Sequence, residues 1–204
     1  MGDLFVPAPE LLAFLREAFI REGAPFGRPE YEHLREARIG TLWTNVERIK
    51  GEHLTLGTAQ LFRDVGDRWT VGRTLQQLRE WFGDWWDDDA DDDPYPHFII
   101  TIYAPAAAEM NDPSFAALCA HELRHCGQKR DRWGEPKFDR DGNPEWTIVG
   151  HDVEEFVSVV EDFGIEAAGP AAVRFVEAAR KAPRFSAVDV AGVCGCGAKI
   201  QLVA

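Results

Sequence analysis

The spacing of apolar positions divides the chain into short helices and strands. Between residues 8 and 22, Leu11, Leu12, Leu15 and Phe19 recur at helical intervals, and Gly23 and Pro25 close that helix. A second helix is expected from Pro29 to Arg38. The runs 39–45 and 54–62 read as strands, with Gly51 in the turn between them. Trp43 and Phe62 are expected to serve the core. Residues 74–86 place Leu75, Leu78, Trp81, Phe82, Trp85 and Trp86 in an amphipathic helical pattern. His97–Tyr103 carries the densest strand signal, being built almost wholly of β-formers. Such a strand sits either inside a sheet or at an edge where an extended peptide can pair with it.

Beyond residue 110 the pattern turns helical around one polar excursion. Asp112 and Pro113 suit an N-cap and a first helical position, and the helix they open is expected to end at 127–129. At about 100° per residue, Phe115, Ala116, Cys119, Ala120, Leu123 and Cys126 share a broad apolar face. Ser114, Ala117, His121, His125 and Gln128 share another. Residues 131–149 read as a polar loop, with Asp141-Gly142 turning a hairpin between Lys137-Phe138 and 146–149. A helix is then expected over 151–163, burying Val153, Phe156, Val157, Val160 and Phe163, with Gly164 as its stop. A shorter one follows over 170–181, ended by Pro183.

Composition changes this picture in three ways. A hydrophobic content of 45% is enough for a core in a chain of 204 residues. No apolar run is long enough to span a membrane, and the N-terminus lacks the basic and apolar regions of a signal peptide. The expected location is therefore cytoplasmic. More than half of the net charge of −13 falls on Asp84, Asp87–Asp89 and Asp91–Asp93. That stretch, 84–93, reads as a solvated loop, and the acidic balance argues against direct DNA binding through the general surface. Cys119, Cys126, Cys194 and Cys196 are too few for a disulfide scaffold. Cys119 and Cys126 fall on the apolar helical face and are expected in the core. Cys194 and Cys196 supply only two of the four ligands that a structural zinc site needs.

The candidate chemistry lies in the 112–126 helix. His121-Glu122-Leu123-Arg124-His125 follows the pattern His-Glu-x-x-His. One helical turn places both imidazoles where they can reach a single zinc ion, and Glu122 stands beside that ion, able to take a proton from a water. A catalytic zinc needs a third protein ligand and an open position. His151 is the preferred third ligand, because a neutral imidazole leaves the ion its full charge. Glu154 and Glu155 are alternatives, and Glu155 or Asp152 can orient a ligand histidine from behind. Tyr103, Arg124 and His97 are candidate oxyanion donors. His33 and His53 read as structural or surface residues. The expected reaction is hydrolysis of a peptide bond in a protein or peptide substrate, with Glu122 as general base. The competing reading is a catalytically silent, metal-stabilised binding or regulatory module. A protease acting on DNA-crosslinked protein would need a partner to supply the DNA contact.

The runs Phe98-Ile-Ile-Thr-Ile, Phe115-Ala-Ala-Leu-Cys-Ala-His-Glu-Leu-Arg-His-Cys and Gly150-His-Asp-Val-Glu-Glu-Phe together resemble the phage metallopeptidase family. That family is in turn similar to the SprT-like zinc metallopeptidases. The resemblance covers about residues 28 to 164. It implies an α+β, minimal zincin-like domain: a small mixed sheet packed on the metal helix, with further helices and His151 as third ligand. The N-terminal helix, 1–27, and a C-terminal helix with its Cys-x-Cys tail, 165–204, flank it. It also implies a bacterial or phage-infected host cell. The tail departs from SprT-like proteins, which often carry a complete zinc ribbon. Glu155 stands where they often place an aromatic residue.

Overall fold

The computed structural model describes residues 4–50, 53–62, 75–82, 95–154, 157–184 and 193–194. The acidic stretch 84–93, Trp85, Trp86, Glu155, Phe156 and Cys196 lie outside them.

The strand signals condense into one mixed sheet. β1 (Phe5–Pro7), β2 (Ile39–Thr44), β3 (Ile49–Lys50), β4 (His53–Leu61), β5 (Phe98–Tyr103) and β8 (Val193–Cys194) belong to it, and its main order is β1-β2-β5-β4-β3. β5 runs parallel to β2 and antiparallel to β4, with Ile102 opposite both Trp43 and Gly57. The edge position considered for β5 is therefore excluded. Phe98, Ile99, Ile100 and Ile102 are fully buried, and a strand apolar on both faces gains most at the centre of a sheet covered on both sides. β8 lies parallel to β4, pairing at Thr55 and Gly57.

Helices cover the two faces. Phe98, Ile100 and Ile102 share a core with Leu11, Leu12 and Leu15 of α1 (Pro9–Leu15) and with Cys119 and Leu123 of α4 (Asp112–His125). The N-terminal helix thus packs into the same core as the metal-motif helix. It continues as a turn of π-helix over Arg16–Ile20, and the next segment, Pro29–Arg35, is 3₁₀ rather than α. On the opposite face, Ile99 and Leu42 meet Phe82 of α2 (Leu75–Phe82). α3 (Ala104–Glu109) links β5 to α4.

α4 begins one residue earlier than Asp112 as cap would place it. Asn111 is the N-cap, its Oδ1 accepting from the Ser114 N–H at 2.9 Å, which satisfies one of the helix's orphan donors. At its other end α4 stops at His125, and Cys126–Gln128 becomes β6 instead of a further helical turn. β6 pairs antiparallel with β7 (Trp146–Ile148). The partner of β7 is thus β6, and not Lys137-Phe138 as the hairpin reading held.

Between β6 and β7 the chain makes the same turn twice. Asp131-Arg-Trp-Gly-Glu-Pro136 and Asp139-Arg-Asp-Gly-Asn-Pro144 share the pattern Asp-Arg-x-Gly-x-Pro. Asp131 Oδ1 accepts from the N–H groups of Trp133 and Glu135 at 2.8 and 3.0 Å. Asp139 Oδ1 accepts from Asp141 and Asn143 at 2.8 and 2.9 Å. Gly134 and Gly142 both have positive φ, 88° and 87°, a conformation that costs glycine little. Each turn returns the chain to its starting line: Lys137 N–H donates to Lys129 O at 2.8 Å, and Glu145 N–H to Lys137 O at 3.0 Å. Lys129 N–H then closes on Glu145 O at 2.7 Å and puts β7 in register with β6.

The C-terminal helices differ from expectation. Among the described residues α5 covers Val157–Phe163, and His151–Glu154 is an irregular segment rather than a first helical turn. Val157 and Phe163 are exposed, not buried. α6 (Gly169–Ala179) follows a 3₁₀ turn over Ile165–Ala168.

Gly40 on β2 tests the sheet packing. A Cβ there would lie 2.6 Å from Ile99 Cδ1 and 2.7 Å from the Phe82 ring. Gly40→Ala is expected to destabilise the protein by about 1–3 kcal/mol through overpacking, measured from denaturant midpoints. Unchanged stability would show that α2 does not press on this face.

Candidate metal centre

Two segments bring three imidazoles together. His121 and His125 stand one turn apart on α4, and His151 arrives on the segment that follows β7. His121 Nε2 lies 3.2 Å from His125 Nε2 and 3.2 Å from His151 Nε2. The ligand atoms of all three lie within 4.8 Å of one another. Imidazole nitrogens bound tetrahedrally at about 2.0–2.1 Å from zinc stand about 3.3 Å apart. The donor set of three imidazole nitrogens therefore fits a metal ion.

Two of the three rings have a polar group behind them. His125 Nδ1–H donates to Val149 O at 2.6 Å, and Val149 N–H donates to His125 O at 2.9 Å. The first bond fixes the tautomer that leaves the Nε2 lone pair toward the cluster. The second ends the helix and ties it to the strand that leads to His151. Gly127 permits this approach, since a Cβ there would collide with Val149 Cγ2. His151 Nδ1 lies 3.7 Å from the Glu154 carboxylate, so Glu154 stands behind the imidazole instead of beside the other two rings.

The cluster is set up for neutral imidazoles. Burial, and then the neighbouring His125 and His151, pull the His121 pKa down to about 4. Burial also lowers His125, opposed by the Val149 carbonyl that accepts from it.

Glu122 is fully buried beneath β4. A Cβ at Gly57 would lie 2.6 Å from Glu122 Oε1, so the strand can pass over the carboxylate only because that position is glycine. Among the described residues neither carboxylate oxygen has a hydrogen-bond partner. The Ala59 N–H faces the group and favours its ionised form, but it does not reach bonding geometry. Burial outweighs it and pushes the Glu122 pKa up to about 8. An unpaired buried carboxylate is costly, and its place on the helix that carries two histidines of the cluster makes it a functional candidate.

The remaining expected residues scatter. His97 Nδ1 accepts from the Arg38 N–H at 3.0 Å, and its ring packs on Trp146. His33 Nε2 bonds Cys126 O at 2.9 Å, a structural contact. Arg124 and Tyr31 border a cavity that reaches His121, and Tyr103 borders a separate one beside Gly57. Cys119 and Cys126 are buried thiols, Cys119 pushed up to about 12 by desolvation. Sequence reasoning missed Val149, Gly57 and Tyr31. A lone glycine within a strand pattern marks a close approach of another group and is the signal that would have found Gly57. Val149 acts through backbone atoms, so its side-chain identity gives no sign.

Glu122 sets a pH dependence for the metal-free fold. It ionises near 4.5 in the unfolded chain but only near 8 when folded. Its contribution to stability is complete below the first value and lost as pH rises through the second. His121 acts in the opposite sense, its contribution being present above 6.5 and lost as pH falls toward 4. In thermal melts of chelator-treated protein, wild type is expected to lose Tm on the alkaline side and Glu122→Gln is not. Equal slopes would refute the burial of an ionisable carboxyl at this position.

Comparison with known proteins bears on this site. Searches of curated proteins and of solved structures each returned no match. A family model described as "Putative phage metallopeptidase" matches residues 12–180, which include every histidine of the cluster and Glu122. The chain belongs to the phage metallopeptidase family.

Proposed function

We propose that this protein is a zinc-dependent peptidase in which His121, His125 and His151 hold the ion and Glu122 is the general base. The observation that carries the reading is the convergence of three Nε2 atoms, with a buried, unpartnered carboxylate on the same helix. Family membership supports protein or peptide substrates. Three imidazoles with an open position suit zinc better than magnesium or calcium, which prefer oxygen ligands. When bound, zinc supplies Lewis acidity toward water and the scissile carbonyl, and a positive charge that favours ionised Glu122.

The chain's own residues do the rest. Glu122 accepts the proton of the attacking water on a carboxylate oxygen and delivers it to the leaving nitrogen as the peptide bond breaks. Gly57 and the overlying β4 keep bulk water from that carboxylate, so the proton passes between two reacting groups. Val149 O holds the His125 ring, and Glu154 lies behind His151. Of the candidates for third ligand, His151 is favoured because its Nε2 already faces His121.

Two substitutions separate the roles. Glu122→Gln is expected to retain one zinc per chain and to lose peptide hydrolysis by about 10²–10⁴-fold. His151→Ala is expected to lose stoichiometric zinc, read by elemental analysis after dialysis. Zinc-loaded wild type that cleaves no unfolded protein or peptide library would favour the silent binding module. Full zinc retention in His151→Ala would displace it as third ligand.

A further inference from the structure

A groove of about 970 Å³ opens between α1, the 3₁₀ segment Pro29–Arg35, the first half of α4 and Pro183-Arg184, which follow α6. Its floor is aromatic: Phe14, Phe19, Phe26 and Phe115, with Phe14 and Phe115 rings 5.6 Å apart. Phe14, Phe26 and Phe115 are only half-buried, so the groove is an open apolar surface and not a closed core. On its α4 side Asp112, Pro113 and Phe115 are followed by Ala116, Ala117 and Ala120, whose short side chains leave space toward His121.

The groove does not end there. A second cavity of about 380 Å³ shares Arg28, Tyr31, Ala117 and Ala120 with it and extends to His121 and Arg124. The two form one channel from the aromatic floor to a histidine of the metal cluster. Arg28 is exposed at their junction, Arg124 is exposed along the smaller cavity, and both act on the Tyr31 hydroxyl. Tyr31 is held in place by donating to Ala120 O at 3.2 Å. Glu30 at the same mouth balances one of the two positive charges.

We propose that this channel is the specificity site, taking a large apolar side chain of the substrate peptide next to the scissile bond, with an acidic residue beside it facing Arg28 and Arg124. The assignment rests on the peptidase reading for its substrate, but not for its test. Continuity with His121 selects the substrate as occupant, because a side chain lodged on the aromatic floor leaves its backbone within reach of the metal cluster. The groove has ample room for Phe, Trp or Leu, its aromatic floor favours an apolar side chain, and the mouth carries net positive charge. Ala117 is the residue that controls entry: it is exposed, lies one turn before His121, and lines both parts of the channel.

The test uses the full-length, zinc-loaded Glu122→Gln protein and two fluorescein-labelled peptides that differ only in a Phe-Asp or a Gly-Gly core. Fluorescence polarisation is expected to show at least about tenfold tighter binding of the Phe-Asp peptide, the scale on which an apolar pocket discriminates. Adding Ala117→Trp should abolish that difference with zinc content and circular dichroism unchanged, and adding Arg28→Glu should weaken Phe-Asp binding alone. Equal affinity for the two peptides, or a preference untouched by Ala117→Trp, overturns the proposal. A Glu122→Gln dimer that Ala117→Trp dissociates would make a second copy the occupant and overturn it also. A Phe-Asp preference in binding, with no cleavage of either peptide by wild type, would uphold the channel and refute the peptidase reading.

Discussion

The site depends on one residue pair. His125 gives both its ring N–H and its backbone carbonyl to Val149, at 2.6 and 2.9 Å. The carbonyl bond ends α4 where another helical turn was available, and the ring bond fixes the tautomer. Two positions after Val149 comes His151. The helix that carries His121 and His125 and the distant segment that carries His151 are thus joined by two short hydrogen bonds. The twin Asp-Arg-x-Gly-x-Pro turns make that joining reproducible, because each returns the backbone to the line of Lys129 before β7 begins. A long excursion with no such turns would carry a larger ordering entropy before His151 could arrive.

The centre is locally unfavourable to the fold. Three imidazole nitrogens face one another, and a carboxylate lies in the protein interior without a hydrogen-bond partner among the described residues. A cation satisfies both conditions at once, since it accepts the imidazole lone pairs and favours the charged carboxylate. The sheet provides the rigidity that tolerates this. β5 is paired on both sides and buried on both faces, and β4 beside it offers a glycine where the carboxylate needs space.

Much of the architecture was legible in the chain. The strands at 39–44, 53–61 and 98–103 and the helix over the motif fall close to where apolar periodicity and the Pro113 signal place them. The thiols of Cys119 and Cys126 lie in the core, as the helical count predicts. The failures have physical causes. Position of a strand within a sheet is a long-range property, so β5 could be read as an edge although it lies between β2 and β4. The pattern at 151–163 is helical, yet its first residues follow an irregular path that brings His151 to His121 and His125. Val157 and Phe163 are periodic but exposed, because periodicity names a face and not what covers it.

The sequence alone determined the reactive inventory: two histidines and a glutamate at helical spacing, a set of candidate third ligands beyond residue 150, and enough apolar surface for a core. Those follow from local geometry, which a few neighbouring residues dictate. Tertiary structure decided which side chains meet. It chose His151 over Glu154 as the neighbour of His121, set Gly57 over Glu122, and opened an aromatic groove beside the metal helix. Each of those choices joins residues far apart in the chain through side-chain contact or close packing, and none leaves a periodic trace in the sequence.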